Sequence, residues 1–241
     1  MRLRPALQAI VFDFDGLILD TEEPIYQSWV EVYRAHGQEL PFDRWMQIVG
    51  SNNAAFDPRA NLEERLGRPL PQDVLDERLR RRTQLVLEQA VRPGVAELAA
   101  AARAAGVRTG VASSSTRAWV EDHLARLGID DRFECVRCRD DVKSVKPAPD
   151  LFLAVAECLD ATPAQSVAIE DSYNGVLAAK AAGMACIAVP NTITAGQDFA
   201  RADLVLESLA GLTPQGLASK LGFTVFACAS ESSPAEETRP A

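Results

Sequence analysis

The stretch AIVFDFDG, residues 9–16, decides the fold of this chain. Residues 9–12 form an apolar run rich in branched and aromatic side chains, which predicts a short buried strand. Asp13 stands at the carboxyl end of that strand, and the turn-favouring pair Asp15-Gly16 stops the run. Carboxylates at a strand end are costly unless a positive group pairs with them. The stretch therefore predicts a strand edge that carries chemistry, although Asp-Gly is also typical of a plain turn.

The pattern of a short apolar strand with a polar tip returns further along the chain. Helical stretches lie between these strands, and several of them are followed by a glycine, which is a common helix stop. Strands that alternate with helices predict an α/β fold, with a Rossmann-like parallel sheet covered by helices on both faces. The predicted strands are 107–112, 166–169 and 185–189, and the predicted helices are 95–105, 118–127, 148–159 and 175–182.

One long segment, residues 22–89, breaks this alternation. It reads as successive helices without a convincing strand, beginning with apolar side chains at helical spacing from Ile25. We therefore predict an inserted α-helical cap domain at 22–89 and an α/β core made of residues 1–21 and 90–223. Residues 224–241 are predicted to be a disordered tail, because the end of the chain is rich in Ser, Pro, Glu and Ala without apolar periodicity.

Composition limits the partners of the chain. Its 241 residues carry a net charge of -9, with 47% hydrophobic and 24% charged residues. This balance is ordinary for a soluble globular protein, and no apolar run approaches the length of a membrane span. The negative charge disfavours nucleic acid and membrane surfaces as partners, while a local positive pocket can still bind a small anion. Because no signal peptide is evident, the cytoplasm is the expected location.

The cysteines favour a reducing compartment. There are five, an odd number spread thinly along the chain, which is unlike a disulfide framework. Cys135 and Cys138 form a nominal CxxC pair, but zinc would need two more ligands at matching spacing, and Cys158 is isolated in the sequence. We interpret the pair as two residues at a strand end and not as a metal or redox site.

Polar residues after the other predicted strands are expected to meet Asp13 at one edge of the sheet. In open parallel sheets, ligands bind beyond the carboxyl ends of the strands. Glu170 and Asp171 would add negative charge there, and several converging carboxylates favour a hard cation such as Mg²⁺. Ser113 and Ser114 can offer hydroxyl and amide donors to phosphate oxygens, although a serine run alone is more typical of a helix cap.

Basic residues supply the other half of an anion site. Lys146 lies next to prolines at a predicted helix start, where it can act as a point charge for phosphate. Taken in isolation, a lysine at such a position is more typical of a solvated loop. Four arginines between 78 and 82 are typical of a solvated helix face, and one of them could meet a second anion of a substrate. The sequence has no dinucleotide-binding or P-loop motif, and its two unpaired histidines argue against a serine hydrolase triad.

Taken in order, these features resemble the haloacid dehalogenase superfamily. The resemblance is to subfamily IA, whose helical C1 cap follows the first motif and which includes β-phosphoglucomutase-like proteins and sugar phosphatases. It covers nearly the whole chain. The motifs that carry it are Asp-x-Asp-Gly with a following Asp-Thr at 13–21, a strand that ends in Ser at 111–113, Lys146-Pro147, and Glu-Asp-Ser-x-x-Gly at 170–175.

The resemblance implies a role for each of these residues. Asp13 would be the nucleophile that becomes an aspartyl phosphate, which divides one difficult displacement into two. Asp15 would be the general acid for the leaving oxygen and then the general base for water. The implied phosphate-binding residues are Ser113, Ser114 and Lys146, and the implied metal-binding residues are Asp13, Asp15 through its backbone carbonyl, Asp171 and Glu170, the last as a ligand or as a group that supports one.

We therefore predict a Mg²⁺-dependent phosphatase that hydrolyses a small phosphorylated metabolite, such as a sugar phosphate, through an aspartyl-phosphate intermediate. A phosphosugar mutase that uses the same intermediate is the main alternative, and a 2-haloacid dehalogenase or an inactive phosphometabolite sensor are weaker ones. One departure argues against the mutase. β-Phosphoglucomutases carry a histidine four residues beyond the threonine that matches Thr21, whereas this chain has Ile25, which can neither donate nor accept a hydrogen bond. The sequence does not indicate the oligomeric state.

Overall fold

The structure, a computed structural model, describes residues 5–46, 48 and 56–225. Its centre is a six-stranded parallel sheet, so the predicted α/β class with a parallel sheet is confirmed. The strands are β1 (Ala9–Phe12), β2 (Arg108–Ala112), β3 (Cys135–Arg137), β4 (Ser166–Glu170), β5 (Ala185–Ala188) and β6 (Leu204–Val205). Hydrogen bonding joins them in the order β3-β2-β1-β4-β5-β6, which places β1 near the middle of the sheet.

Helices follow most of the strands and occupy the segment between β1 and β2. They are α1 (Glu22–Ala35), α2 (Phe42–Met46), α3 (Pro58–Leu66), α4 (Gln72–Leu87), α5 (Val95–Ala104), α6 (Arg117–Leu127), α7 (Asp150–Cys158), α8 (Tyr173–Ala181) and α9 (Pro214–Leu221). The predicted core helices agree with α5 to α8 within two residues at each end. Among the helices of the described residues, none combines the length and the apolar character that crossing a membrane requires.

The central strand β1 is apolar along its whole length because it is covered on both faces. Ile10 and Phe12 belong to an apolar cluster that includes side chains of α5, α6 and α9. Ala9 and Val11 belong to a second cluster that includes side chains of α7 and α8. Successive residues of a strand point to opposite faces, so a doubly covered strand needs apolar residues at every position.

Helices α1 to α4 share an apolar cluster of their own. Trp29, Tyr33 and Leu62 are buried in it, and Ile193 from the loop after β5 packs against them. In the described part of residues 22–89, the structure has helices and no strand of the sheet. The boundaries of the cap domain remain a prediction.

The end of the described chain corrects the predicted tail. Thr224 donates its backbone N–H to the carbonyl oxygen of Pro5 at 3.0 Å and accepts the N–H of Leu7 at 2.8 Å. Val225 packs against the apolar cluster on one face of the sheet. The tail predicted at 224–241 therefore begins at least two residues too early, and its remainder, 226–241, lies outside the described residues.

A disulfide bond joins Cys135 at the start of β3 to Cys158 at the end of α7, with their Cα atoms 6.3 Å apart. The cysteine spacing predicts no disulfide framework, and this bond differs from that prediction. The pairing links positions 23 residues apart in the sequence, and only the packing of α7 on β3 brings them together. Cys138, the other half of the CxxC pair, is a buried free thiol.

Candidate active site

The carboxyl ends of three neighbouring strands form the floor of the site. Because β1 pairs with β2 on one side and with β4 on the other, the residues that follow these strands come together. They border a cavity of about 570 Å³. Five of the seven predicted site residues line it: Asp13, Asp15, Ser114, Lys146 and Asp171. The other two, Ser113 and Glu170, are fully buried behind the cavity wall.

Lys146 is the positive centre of the site. Its ammonium donates hydrogen bonds to the carboxylate of Asp13, to Oε1 of Glu170 at 2.6 Å and to the carbonyl oxygen of Ala112 at 2.8 Å. Burial alone would lower the pKa of Lys146, but the charges of Asp13 and Glu170 raise it above its ordinary value. The ammonium therefore stays charged, with all three of its donors in use.

Three buried carboxylates lie close enough to share a cation. One oxygen from each of Asp13, Glu170 and Asp171 falls within 4.8 Å of the others. Burial raises the pKa values of Asp13 and Asp171 well above the ordinary range, and the neighbouring carboxylates raise them further. Lys146 offsets only one of the three negative charges. Hard oxygen donors with an excess of buried negative charge fit Mg²⁺.

Asn191 links Asp171 to the turn that follows Asp15. The amide of Asn191 donates to Oδ2 of Asp171 at 2.8 Å and to the carbonyl oxygen of Gly16 at 3.3 Å. Gly16 has a φ of +85°, and a Cβ atom at this position would lie 2.1 Å from Oδ2 of Asp171. The Asp-Gly pair thus does more than favour a turn, since only glycine allows this close approach. No sequence pattern pointed to Asn191.

Glu170 turns back toward its own loop. Its Oε2 accepts the backbone N–H groups of Asp171 at 3.1 Å and Ser172 at 3.2 Å, as well as the Ser172 hydroxyl at 3.0 Å. Its Oε1 accepts from Lys146. Both oxygens are therefore bound by protein donors, and the carboxylate fixes the start of α8 relative to the lysine.

Asp15 points toward α6. Its Oδ2 accepts the Ser115 hydroxyl at 2.6 Å and the Ser113 hydroxyl at 3.3 Å, and its Oδ1 accepts the indole N–H of Trp119 at 2.9 Å. The Ser113 hydroxyl also accepts the backbone N–H of Ser115 at 3.0 Å, so protein groups engage it in this structure. Sequence reasoning missed Trp119, which reads as an ordinary apolar residue of a helix, and it treated Ser115 only as part of a serine run.

The opposite wall of the cavity comes from helices α1, α2 and α4, which contribute Glu22, Ile25, Trp45 and Arg82. Burial, followed by the charge of Asp15, raises the pKa of Glu22 to about 7. The guanidinium of Arg82 lies 5.6 Å from the centre of the Trp119 ring. Arg139, which follows Cys138, completes the basic part of the cavity. Glu22 and Arg139 were not predicted, because neither stands in a pattern of its own.

Comparison with known proteins relates this chain to a family of hydrolases, to a candidate phosphatase and to a phosphoglucomutase. The family model for haloacid dehalogenase-like hydrolases matches residues 7–183. YhcW of Bacillus subtilis (strain 168), named as a candidate phosphatase, is 43% identical over 205 residues, which cover 85% of this chain and 93% of YhcW. The beta-phosphoglucomutase of the same organism is 31% identical over 216 residues, which cover 86% of this chain and 92% of the mutase.

A solved structure extends the similarity to three dimensions. It is the crystal structure of a CbbY mutant from Rhodobacter sphaeroides in complex with xylulose-(1,5)bisphosphate. It superposes with a TM-score of 0.67 at 31% sequence identity and covers 88% of this chain and 99% of CbbY. The structural similarity therefore extends over most of the chain.

Proposed function

The chain belongs to the haloacid dehalogenase-like hydrolases, and on that basis we propose that it is a Mg²⁺-dependent phosphatase acting on a small phosphomonoester such as a sugar phosphate. The observation that carries this proposal is the position of Asp13. Its carboxylate ends the central strand at the floor of an open cavity, in contact with the Lys146 ammonium. A carboxylate so placed is available to attack a phosphorus atom bound in the cavity.

The proposed reaction has two steps. In the first, a carboxylate oxygen of Asp13 forms a bond to phosphorus while the bond from phosphorus to the leaving oxygen breaks, and Asp15 gives its proton to that oxygen. In the second, Asp15 takes a proton from a water molecule whose oxygen attacks phosphorus, which frees Asp13 and inorganic phosphate. Lys146 borders the cavity, so its positive charge would attract the phosphoryl oxygens, and Ser114 lies where it can donate to them.

The residues that would hold Mg²⁺ are Asp13, Asp171 and the backbone carbonyl of Asp15. When bound, the ion would reduce the repulsion between the Asp13 carboxylate and the phosphate dianion. We assign Glu170 a supporting role, since its two oxygens already accept from Lys146 and from the loop that follows β4. Asn191 would orient Asp171 through the 2.8 Å hydrogen bond.

We assign the part of the substrate that is not transferred to the wall formed by α1, α2 and α4, which corresponds to the proposed cap at 22–89. Arg82 of that wall and Arg139, which follows β3, both bring positive charge to the cavity. A second anionic group on the substrate, either a carboxylate or another phosphate, would complement them. The CbbY complex supports this substrate class, because its ligand is a sugar bisphosphate.

Phosphate release from a panel of phosphorylated sugars and sugar acids, assayed with Mg²⁺, tests the proposal. Asp13→Asn is expected to abolish turnover, because an amide cannot act as the nucleophile. Asp131→Asn, the same substitution at an exposed aspartate, serves as the matched control and should retain the activity of the unmodified protein. Retained turnover in Asp13→Asn, or in excess chelator, would contradict the proposal.

The mutase is the second candidate, since a beta-phosphoglucomutase is among the relatives. Ile25 favours hydrolysis. It lines the cavity four residues after Thr21, where the mutases carry a histidine, and its side chain packs against the apolar cluster of α1 to α4. Incubation with β-glucose 1-phosphate and a bisphosphate primer separates the two candidates. Free phosphate should appear faster than glucose 6-phosphate, and the reverse order would favour the mutase.

A further inference from the structure

Asp15 is held by a residue for which the proposed mechanism gives no role. The indole N–H of Trp119 donates to Oδ1 of Asp15 at 2.9 Å, while Ser115 and Ser113 bind the other oxygen. We propose that Trp119 is a positioning residue that fixes the Asp15 carboxyl group for proton transfer to the leaving oxygen. The inference rests on the proposed function, because it concerns the same acid.

The indole is itself held in one orientation. Trp119 lies in the first turn of α6, where its backbone N–H bonds to the capping hydroxyl of Thr116 at 3.4 Å. Its ring makes an edge contact with the ring of His123, one turn further along the helix, with centroids 4.3 Å apart. An indole held at its backbone and at its ring presents its N–H in a fixed direction. That N–H points at Oδ1 of Asp15.

Trp119 acts on geometry alone. An indole N–H is a donor that neither accepts nor exchanges a proton in catalysis, so it cannot replace Asp15 as the acid. Within the part of the chain that the structure describes, the indole is the only donor bonded to Oδ1 of Asp15. The two serines bind Oδ2, so removal of the indole donor leaves the carboxyl group free to turn about that end. Proton transfer is sensitive to such displacement, because the donor must lie within hydrogen-bond reach of the leaving oxygen.

The outer face of the same indole meets the opposite wall of the cavity. Arg82 of α4 places its guanidinium 5.6 Å from the ring centre, a cation–π contact. One side chain of the sheet-bearing core therefore touches both the proposed acid and a helix of the proposed cap. A substitution that probes the N–H must keep this ring, because loss of the ring would also change the position of Arg82.

Trp119→Phe is the variant that meets this requirement. It removes the N–H and keeps an aromatic ring against His123 and Arg82. For an alkyl phosphomonoester we expect kcat to fall roughly tenfold, about the effect of one lost hydrogen bond in the transition state, with KM changed less than about twofold. For nitrophenyl phosphate the loss should be at most about twofold, since that leaving group needs little protonation. A structural defect would lower turnover of both substrates alike.

Trp29→Phe, which also removes one indole N–H, is the matched control. Trp29 is buried in the apolar cluster of α1 to α4 and is not among the described residues that line the cavity, and the guanidinium of Arg78 lies 4.5 Å from the centre of its ring. Removal of this N–H should leave the ratio of alkyl to nitrophenyl turnover unchanged. Ser115→Ala gives a second test that needs no repacking, because it removes the 2.6 Å donor to the other oxygen of Asp15 and should reproduce the selective loss on alkyl esters.

A double-mutant cycle with Asp15→Asn tests whether Trp119 acts through Asp15. If Trp119 acts through Asp15, Trp119→Phe should cost nothing further once the acid is gone. An equal loss in both backgrounds, or no loss in the unmodified background, would overturn the inference. Failure of this inference can be told from failure of the proposed function. If only the inference fails, the unmodified protein still hydrolyses phosphomonoesters and Asp15→Asn still loses activity selectively on alkyl esters. If the proposed function fails, at least one of these two results is missing.

Discussion

At the scale of single residues, the Lys146 ammonium is the charge on which two buried carboxylates depend, those of Asp13 and Glu170. Lys146→Met keeps the apolar stem but leaves both acids without a counter-charge. We expect a loss of about 3–5 kcal/mol in the free energy of unfolding, measured in urea at pH 7 without divalent ions. Lys180→Met, which breaks the partly exposed ion pair to Asp203, is the control and should cost less than about 1 kcal/mol. Equal losses would show that burial of the pair is unimportant.

Glu22 provides a pH-dependent prediction at the same scale. Its pKa rises from 4.5 to about 7, first because of burial and then because of Asp15 and Asp20. The folded protein therefore favours the neutral acid. The resulting stability is fully present below pH 4.5 and is lost as the pH rises to about 7, by up to about 3 kcal/mol.

Glu22→Gln is neutral at every pH and removes this dependence. In urea unfolding with chelator present, the unmodified protein should lose stability relative to Glu22→Gln between pH 4.5 and 7.5. Glu77→Gln, at an exposed position of α4, is the control and should follow the unmodified protein throughout. Parallel curves for Glu22→Gln and the unmodified protein would contradict the assignment.

At the scale of elements, the starts of α8 and α9 form a matched pair. In each helix the third residue is a glycine whose N–H bonds to the capping hydroxyl at 3.1 Å, Gly175 to Ser172 and Gly216 to Thr213. They differ in their surroundings. A Cβ atom on Gly175 would lie 1.8 Å from Cδ of Glu170, whereas one on Gly216 would lie 3.2 Å from the Thr213 hydroxyl.

Alanine at these two glycines should therefore have opposite effects. Gly175→Ala must displace the Glu170 carboxylate, so we expect a loss of at least about 2 kcal/mol in stability together with loss of activity. Gly216→Ala should be neutral or stabilise by up to about 1 kcal/mol, since alanine favours the helix. Thermal unfolding and phosphate release measure both effects. Similar stabilities for the two variants would show that α8 can move away from Glu170.

At the scale of the whole molecule, the acidic cluster should couple metal binding to stability. Asp13, Glu170 and Asp171 come from two separate strands, so a bound cation would tie β1 to β4. Mg²⁺ at about 100 times its dissociation constant should stabilise the fold by about 2.7 kcal/mol, which for a chain of this size is a rise in Tm of about 5–10 °C.

Asp171→Asn should abolish most of this rise, because it removes a charged ligand that faces the cavity. Asp131→Asn is the control and should show the full rise. Differential scanning calorimetry with and without Mg²⁺ gives the answer independently of any substrate. A rise of the same size in Asp171→Asn would place the cation elsewhere.

The sequence by itself determined the strand-helix alternation and the residues at the tips of the strands. A strand covered on both faces must be apolar throughout, so the apolar run before Asp13 predicts a buried strand from the sequence alone. The same holds for the helices that match α5 to α8, whose apolar spacing and terminal glycines are local signals. The two-residue strand β6 carries too few residues for such a signal and was missed. The three-residue strand β3 was expected only as the strand end assigned to Cys135 and Cys138.

Tertiary structure alone decided which polar groups meet. The contacts of Asp15 with Trp119, of Asp171 with Asn191 and of Cys135 with Cys158 join residues 104, 20 and 23 positions apart. Nothing in a local pattern distinguishes these partners from ordinary helix or loop residues. Strand order and helix packing decide such contacts, because they convert distant positions into neighbours. The sequence could therefore predict where the chemistry lies, while the hydrogen bonds that orient it depend on the folded chain.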